Sequence, residues 1–307
     1  DVVVTDINAP TITCAAAPGA AEATSSAGAA VSYDAAVATD NGDDSVDITY
    51  SAASGSTFAI GTTTVTATAT DDNGNVSTCS FDVVVTDTTV PTITCSDDIS
   101  TEATSSAGAS VSYDTTATDV GDASLDMTYS AASGSTFAIG TTTVTATATD
   151  DSGNVSTCSF DVTVVDTTVP TITCPPALLP VEATSSAGAA IIYNAAVATD
   201  IGDDDVAITY SAASASTFAI GTTTVTATAT DDSGNTSTCS FDVTVADTTS
   251  PTITCATAPG TAEATSPSGA AVSYDVATAT DIADDSVAIT YSAASASTYA
   301  IGTTTVT

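Results

Sequence analysis

The sequence has no lysine, no arginine and no histidine, against 33 aspartates and four glutamates, for a formal net charge of −37. Such a chain makes no ion pairs between its own side chains, so each carboxylate must be solvated, hydrogen-bonded or neutralised by cations from outside. Nucleic acid, anionic lipid and acidic substrates are repelled by this field. A Debye length of about 8 Å in physiological salt weakens long-range repulsion, yet carboxylates crowded into one loop still repel. Isopeptide cross-links, which need lysine, are excluded. Tryptophan is absent and methionine occurs once. The apolar share therefore rests on alanine and valine, and predicts thin sheets around a small-residue core. No apolar run approaches the roughly 20 residues of a membrane span, and no signal peptide is visible.

What is present is a repeat. Thr68–Val83 returns almost letter for letter at Thr147–Val162 and Thr228–Val243. A second motif, Asp87-Thr88-Thr89-Val90-Pro91-Thr92-Ile93-Thr94-Cys95, returns at Asp166–Cys174 and Asp247–Cys255, with a variant at Asp6–Cys14. Cys14, Cys95, Cys174 and Cys255 lie 81, 79 and 81 residues apart, so 307 residues hold nearly four copies. The predicted boundaries are 1–6 for the last strand of a preceding copy, then 7–87, 88–166, 167–247 and, incomplete, 248–307. Asp1–Asp6 matches Asp82–Asp87 inside a repeat and Ile301–Thr307 matches Ile60–Thr66 in mid-strand. These ends predict a window on a longer repetitive chain; strand donation between subunits is the alternative reading of them.

Within the first complete copy, short runs alternate apolar and polar residues between turn signals, which is the pattern of strands. Pro10–Cys14 opens an extended strand that Ala21–Thr24 continues after a Pro-Gly break. Ala29–Thr39, carrying Val31, Tyr33 and Val37, is the next; Val46–Ser51 and Thr57–Ile60 follow. Gly61–Thr70 is a long strand with Val65, Ala67 and Ala69 inward, and Val76–Thr86 the last, burying Phe81, Val83 and Val85. Asp72-Asn73-Gly74-Asn75 between them predicts a hairpin with a tight Asn-Gly-type turn. Seven short strands without helical periodicity predict an all-β fold of tandem immunoglobulin-like sandwiches in a linear array.

The seven cysteines resolve with the repeat. Cys14 pairs with Cys79, Cys95 with Cys158 and Cys174 with Cys239, because the first and last strands of such a sandwich run side by side and each pair lies near the same end of its domain. The rival, Cys79 to Cys95, has to span most of the last strand and the linker, far beyond the roughly 4.4–6.8 Å between the Cα atoms of a disulfide. Closing such a loop contributes about 4 kcal/mol by the chain-entropy model and implies an oxidising, extracellular setting. Cys255 is left without a partner.

Pro-Thr-Ile-Thr-Cys near the start of each copy, Phe58-Ala59-Ile60-Gly61-Thr62-Thr63-Thr64-Val65 in its middle, and Ala-Thr-Asp-Asp-x-Gly-Asn-x-Ser-Thr-Cys-Ser-Phe at its end closely resemble the hyalin repeat, or HYR domain. The resemblance covers essentially the whole sequence. It implies an immunoglobulin-like module in tandem arrays of extracellular and cell-surface proteins, associated with adhesion and matrix formation and without catalytic activity. The chain lacks the extra cysteines and the aromatic and basic positions that many such repeats carry.

Three acidic elements of each copy converge on one end of the predicted sandwich: the linker aspartate, the loop after the second strand and the final hairpin turn. In the first copy these are Asp6; Asp40, Asp43 and Asp44; and Asp71 and Asp72 with Asn73 and Asn75. The second offers Asp87, Asp119, Asp122, Asp150, Asp151 and Asn154, the third Asp166, Asp200, Asp203, Asp204, Asp231, Asp232 and Asn235, and the fourth Asp247, Asp281, Asp284 and Asp285. Oxygen-only ligands in flexible loops suit Ca²⁺ with its 6–8 oxygen neighbours better than Zn²⁺. Asp, Asn and Gly are equally good turn formers, and no EF-hand spacing is present, so a role in turns and solubility is the competing account. Glu22, Glu102, Glu182 and Glu263 recur on the far side of each copy, either as exposed strand carboxylates or reaching toward the next junction. Asn75, Asn154 and Asn235 begin formal N-glycosylation sequons in exposed turns, although a hairpin explains each Gly-Asn pair.

The function expected is that of a structural extracellular rod or filament, with junctions stiffened by Ca²⁺ and with divalent cations and copies of itself as partners. The alternative is the stalk of a cell-surface adhesin that spaces a binding domain elsewhere. Catalysis is not expected: there is no His or Lys, and the same polar residues recur in every copy, whereas an active site usually occurs once.

Overall fold

The computed structural model describes every residue except Asp44. The chain falls into two compact units, Asp1–Val165 and Asp166–Thr307, each all-β and built from two copies of the repeat.

In the first unit the first copy contains β1 (Thr11–Thr13), β2 (Ala21–Glu22), β3 (Ala29–Ala30), β4 (Val37–Thr39), β5 (Asp47–Tyr50), β6 (Thr57–Phe58), β7 (Gly61–Thr70) and β8 (Val76–Thr86). Its frame is the hairpin of β7 and β8, paired from Gly61↔Val85 to Thr70↔Val76. Both strands alternate strictly, and the alternation decides which face is covered: Val65, Ala67, Ala69 and Val83 have no exposed surface and Val85 1 %. The outward threonines are β-branched and suit the pleat. β5 adds antiparallel to β7 and β2 parallel to the end of β8, giving the order β2-β8-β7-β5. Facing this sheet are two shorter pairs, β1 with β4 and β3 with β6. The first strand thus changes sheets at its Pro18-Gly19 break, as expected of a split edge strand in an immunoglobulin-like sandwich.

Two details differ from the sequence reading. Ala29–Thr39 is not one strand but β3 and β4, because the Ala36 amide donates to the Tyr50 hydroxyl at 2.7 Å and resets the phase: Ala36 is buried while Val37 stands 67 % exposed. The hairpin loop is the five residues that the strand bounds leave between β7 and β8, but its hydrogen-bonded turn runs over Asp71–Gly74, one residue earlier than Asp72–Asn75. Asp71 closes it from within, its amide donating to Asn75 O and its carbonyl accepting from Gly74 N, with Gly74 in the left-handed region at φ +83°.

Ala23, Ala29, Val31, Phe58, Val65, Phe81, Val83 and Val85 form the core, with Tyr33 and Tyr50 packed on it. Tyr33 meets Phe81 edge to face at 4.9 Å and donates its hydroxyl to the Ala52 carbonyl. Gly28, at φ +103°, lies where a Cβ would stand 1.8 Å from the Phe58 carbonyl oxygen, so β3 and β6 close only over glycine. The second copy repeats this plan around Val144, Phe160, Val162 and Val164.

In the second unit the third copy builds the same sandwich, with Ile191 and Tyr193 in its core. The fourth pairs Thr252–Thr254 with Thr278–Thr280 and Ala270–Val272 with Ser297–Tyr299. No helix is long and apolar enough to cross a membrane among the described residues.

Candidate metal centre

Each complete copy brings together three aspartates from distant parts of the chain: the linker before the first strand, the loop after the fourth, and the final hairpin. The groups are Asp6, Asp40 and Asp71; Asp87, Asp119 and Asp150; and Asp166, Asp200 and Asp231. In each, one carboxylate oxygen per residue lies within 4.8 Å of the others. The hairpin members Asp71, Asp150 and Asp231 are buried, as are the linker members Asp87 and Asp166.

The hairpin aspartate is positioned by its own loop. Asp71 Oδ1 accepts from the amides of Asn73 and Asn75 at 2.9 and 2.8 Å, and Oδ2 from Asn75 Nδ2 at 2.8 Å. Burial pushes its carboxyl up, but the Asn75 side chain and the amides of Asn75, Asn73 and Gly74 together outweigh burial and hold it below the ordinary value; Asp150 is lowered in the same way. The asparagine also fixes the linker: Nδ2 of Asn75, Asn154 and Asn235 donates to the carbonyls of Asp6, Asp87 and Asp166 at 3.3, 3.2 and 3.1 Å. The nitrogen that N-glycosylation modifies is therefore turned inward and engaged.

The loop aspartate belongs to an Asp-x-Gly turn. The amides of Gly42, Gly121 and Gly202 donate to Asp40, Asp119 and Asp200 at 2.9, 2.8 and 2.7 Å. These glycines form the floor on which the linker carboxylate rests. A Cβ on Gly121 would stand 2.3 Å from Asp87 Oδ2, on Gly202 2.3 Å from Asp166 Oδ2, and on Gly42 1.8 Å from Asp6 Oδ2. In the fourth copy Ala283 occupies this place, and Asp247 is exposed.

The linker aspartate is held by the second residue after it. Thr89 donates its amide and hydroxyl to Asp87 Oδ1 at 3.2 and 2.7 Å, and its hydroxyl reaches Asp119 Oδ2 at 3.5 Å. Thr168 serves Asp166 and Asp200 likewise. The other oxygens, Asp6 Oδ2 and Asp166 Oδ2, are buried and accept no hydrogen bond. Like charges brought this close repel one another. Amide and hydroxyl donors offset part of this, and the sequence has no basic side chain to offset the rest. A floor without Cβ atoms and an all-oxygen donor set in all three trios, with orphaned buried oxygens in the first and third, fit a hard divalent cation.

The remaining acidic residues lie around these trios. Asp43, Asp122 and Asp203 accept from the amides of Asp72, Asp151 and Asp232 at 3.1, 2.9 and 3.1 Å. They brace the loop against the hairpin, while the carboxylates of Asp72, Asp151 and Asp232 face solvent. Asp204 is exposed, and Asp44 lies outside the described residues. In the fourth copy Asp281 and Asp284 cap their own loop, and Asp285 accepts from Ser186 Oγ at 2.7 Å. The glycine floor and the threonine hydroxyls escaped sequence reasoning, although Asp-x-Gly at residues 40–42, 119–121 and 200–202 and Asp-Thr-Thr at residues 87–89 and 166–168 were visible as recurrences.

On the opposite end of a copy, Glu22 accepts from the amide and hydroxyl of Thr88 at 2.7 and 3.0 Å, and Glu182 from those of Thr248 at 2.8 and 2.7 Å. These two glutamates thus reach the next linker. The Thr248 hydroxyl first, and then its amide, hold the Glu182 carboxyl below its ordinary value. A lowered folded-state pKa means the contact stabilises above the unfolded value and is lost as pH falls through the folded one. Amide exchange should show Thr248 still protected at a pH where a free glutamate is half protonated, and released on further acidification.

Cys14 is bonded to Cys79, Cys95 to Cys158 and Cys174 to Cys239, with Cα separations of 5.7, 5.9 and 5.7 Å; Cys255 is a free, exposed thiol. Each bond ties the first strand's end to the last strand within one copy. Three such bonds place the chain in an extracellular or cell-surface setting.

The sequence pattern of the HYR domain matches residues 5–85, 86–164, 165–245 and 246–307. The chain is 33 % identical over 287 residues to hyalin of Strongylocentrotus purpuratus, covering 90 % of this chain and 24 % of that protein. It is 31 % identical over 265 residues to hyalin of Lytechinus variegatus, covering 83 % and 50 %, so it spans a quarter to a half of these relatives. Among solved structures, immunoglobulin domains 1–5 of Sidekick-1 align over 79 % of this chain and 60 % of theirs, at 12 % identity and a TM-score of 0.37, a distant likeness that adds nothing about function. With the family pattern tiling nearly all of its length in four successive matches, the chain belongs to the HYR domain family.

Proposed function

We propose that this chain is part of a structural extracellular protein, a rod or filament of disulfide-stapled repeats whose junctions are stiffened by Ca²⁺, with divalent cations and copies of itself as partners and no catalysis of its own. The observation that supports it most is the composition of the trio. Asp87 follows directly on the last strand of one copy, yet its carboxylate lies with Asp119 and Asp150 of the next. A cation bound there engages the linker and the following domain together, so a repeated ligand set becomes a repeated joint. Ca²⁺ is favoured over Mg²⁺ because the ligands come from three loops rather than a rigid octahedral cage.

The test is small-angle scattering and calorimetry of the chain with and without EDTA at fixed ionic strength. Chelation is expected to make the particle more flexible and lower its melting temperature, with recovery on adding Ca²⁺ but not on matching ionic strength with Na⁺. Unchanged flexibility and melting would reduce the trios to turns and solubilising charge.

A further inference from the structure

The linker between the first two copies is gripped alternately from both sides. The Thr86 carbonyl accepts from Ala23 N of the first copy at 2.8 Å, and Thr88 is held through its amide and hydroxyl by Glu22 of the same copy. Asp87 and Thr89, which point the other way along an extended chain, belong to the second copy: the Asp87 carbonyl accepts from Asn154, and Thr89 bonds the carboxylates of Asp87 and Asp119. The Ala183–Ala246 and Glu182–Thr248 bonds reproduce the first half of this arrangement at the start of the fourth copy.

We propose that Glu22 is a positioning residue for the cation site of the following copy: by holding Thr88 at two atoms it presets the neighbouring Asp87 carboxylate, so that occupancy of the Asp87, Asp119 and Asp150 site depends on the copy before it. This rests on the cation reading above. A charged acceptor bridging an amide and a hydroxyl of one residue restricts the peptide on either side, and the residue on one side is a ligand. The hydrogen bonds of Thr88 among the described residues go to Glu22 and not to a ligand carboxylate, so Glu22 acts through the backbone, as outer groups do at metal sites.

The amides of Gly42, Gly121 and Gly202 each donate to the loop aspartate of a different trio and report the three sites separately in a Ca²⁺ titration followed by amide NMR of the full chain. Glu22→Ala is expected to weaken binding read at Gly121 by about tenfold and leave Gly42 and Gly202 unmoved. Glu22→Gln, which keeps an oxygen for the Thr88 amide but removes the charge, is expected to bind close to the wild type. Equal losses in the two variants would show a charge effect and overturn the positioning role, as would a loss shared by all three glycines or no loss at all. If Ca²⁺ shifts none of the glycines in the wild type, the cation reading falls and the positioning role with it; if it shifts them and Glu22→Ala behaves as wild type, only the positioning role falls.

Discussion

Replacing Gly121 with alanine is expected to abolish Ca²⁺ binding at the second copy and leave the domain folded. The backbone at Gly121 is not left-handed, and the nearest atoms an added methyl meets are those of the Asp87 carboxylate, at 2.3 to 2.9 Å. Something must move, and a carboxylate near the chain's linker moves more cheaply than a packed turn. Displacing one of three anionic ligands costs at least what loss of an outer partner does, about 10–100-fold in affinity. Titration calorimetry should count one site fewer than in the wild type, with the melting temperature of the apo chain changed little. Gly202→Ala should do the same at Asp166, where the orphaned Oδ2 loses its seat. A full complement of sites in Gly121→Ala would mean that Asp87 is not a ligand, and the trio would then lack the linker member that makes it a joint. The fourth copy already carries alanine at this place, and there Asp247 is exposed.

Much of the fold was legible because it is local. β8 runs over Val76–Thr86, as its alternation predicts, and Val65, Ala67 and Ala69 are inward. A strand's pattern carries its own register, and one face buried is enough to fix it. Val37 was not legible, since the phase at β4 is set by a hydroxyl fourteen residues away, on Tyr50. The trios were legible only as a crowd. Asp40 and Asp43 sit three residues apart in one acidic loop, yet Asp40 enters the trio and Asp43 binds the Asp72 amide. No composition rule separates them; the turn at Gly42 does, by aiming one carboxylate at the linker. Glu22 shows the same limit from the other side. Its recurrence marked it, but that it grips Thr88 follows from β2 lying parallel to β8, a pairing between residues more than sixty apart.

Removing a disulfide is expected to cost more than removing any single carboxylate. The cores are made of valine and alanine around two phenylalanines, and β1 and β4 are three residues each, so a domain of this size holds only about 3–5 kcal/mol without a staple. Cys14→Ala with Cys79→Ala opens a loop whose ends are 65 residues apart, worth about 4 kcal/mol in the chain-entropy model. The first copy should then melt roughly 15–30 °C lower, as a separate calorimetric transition, while copies with intact bonds melt as before. β1 begins five residues after Asp6; the Cys14–Cys79 bond ties its end covalently to β8, while Ser77 and Asn75 hold the segment before it by hydrogen bonds to the Pro10 and Asp6 carbonyls. Losing the bond should therefore cost the Asp6, Asp40 and Asp71 site its cation before the domain unfolds, read as a weaker Ca²⁺ response at Gly42 below the melting temperature. The dependence does not run backwards: chelation releases the ligands but leaves the covalent tie. Under EDTA the domains should lose the stiffness of their joints and keep their sandwiches, whereas reduction should take both. If reduction left Ca²⁺ affinity at Gly42 unchanged while lowering the melting temperature, the trio would be held by the hairpin and loop alone, and the first strand would serve stability without serving the site.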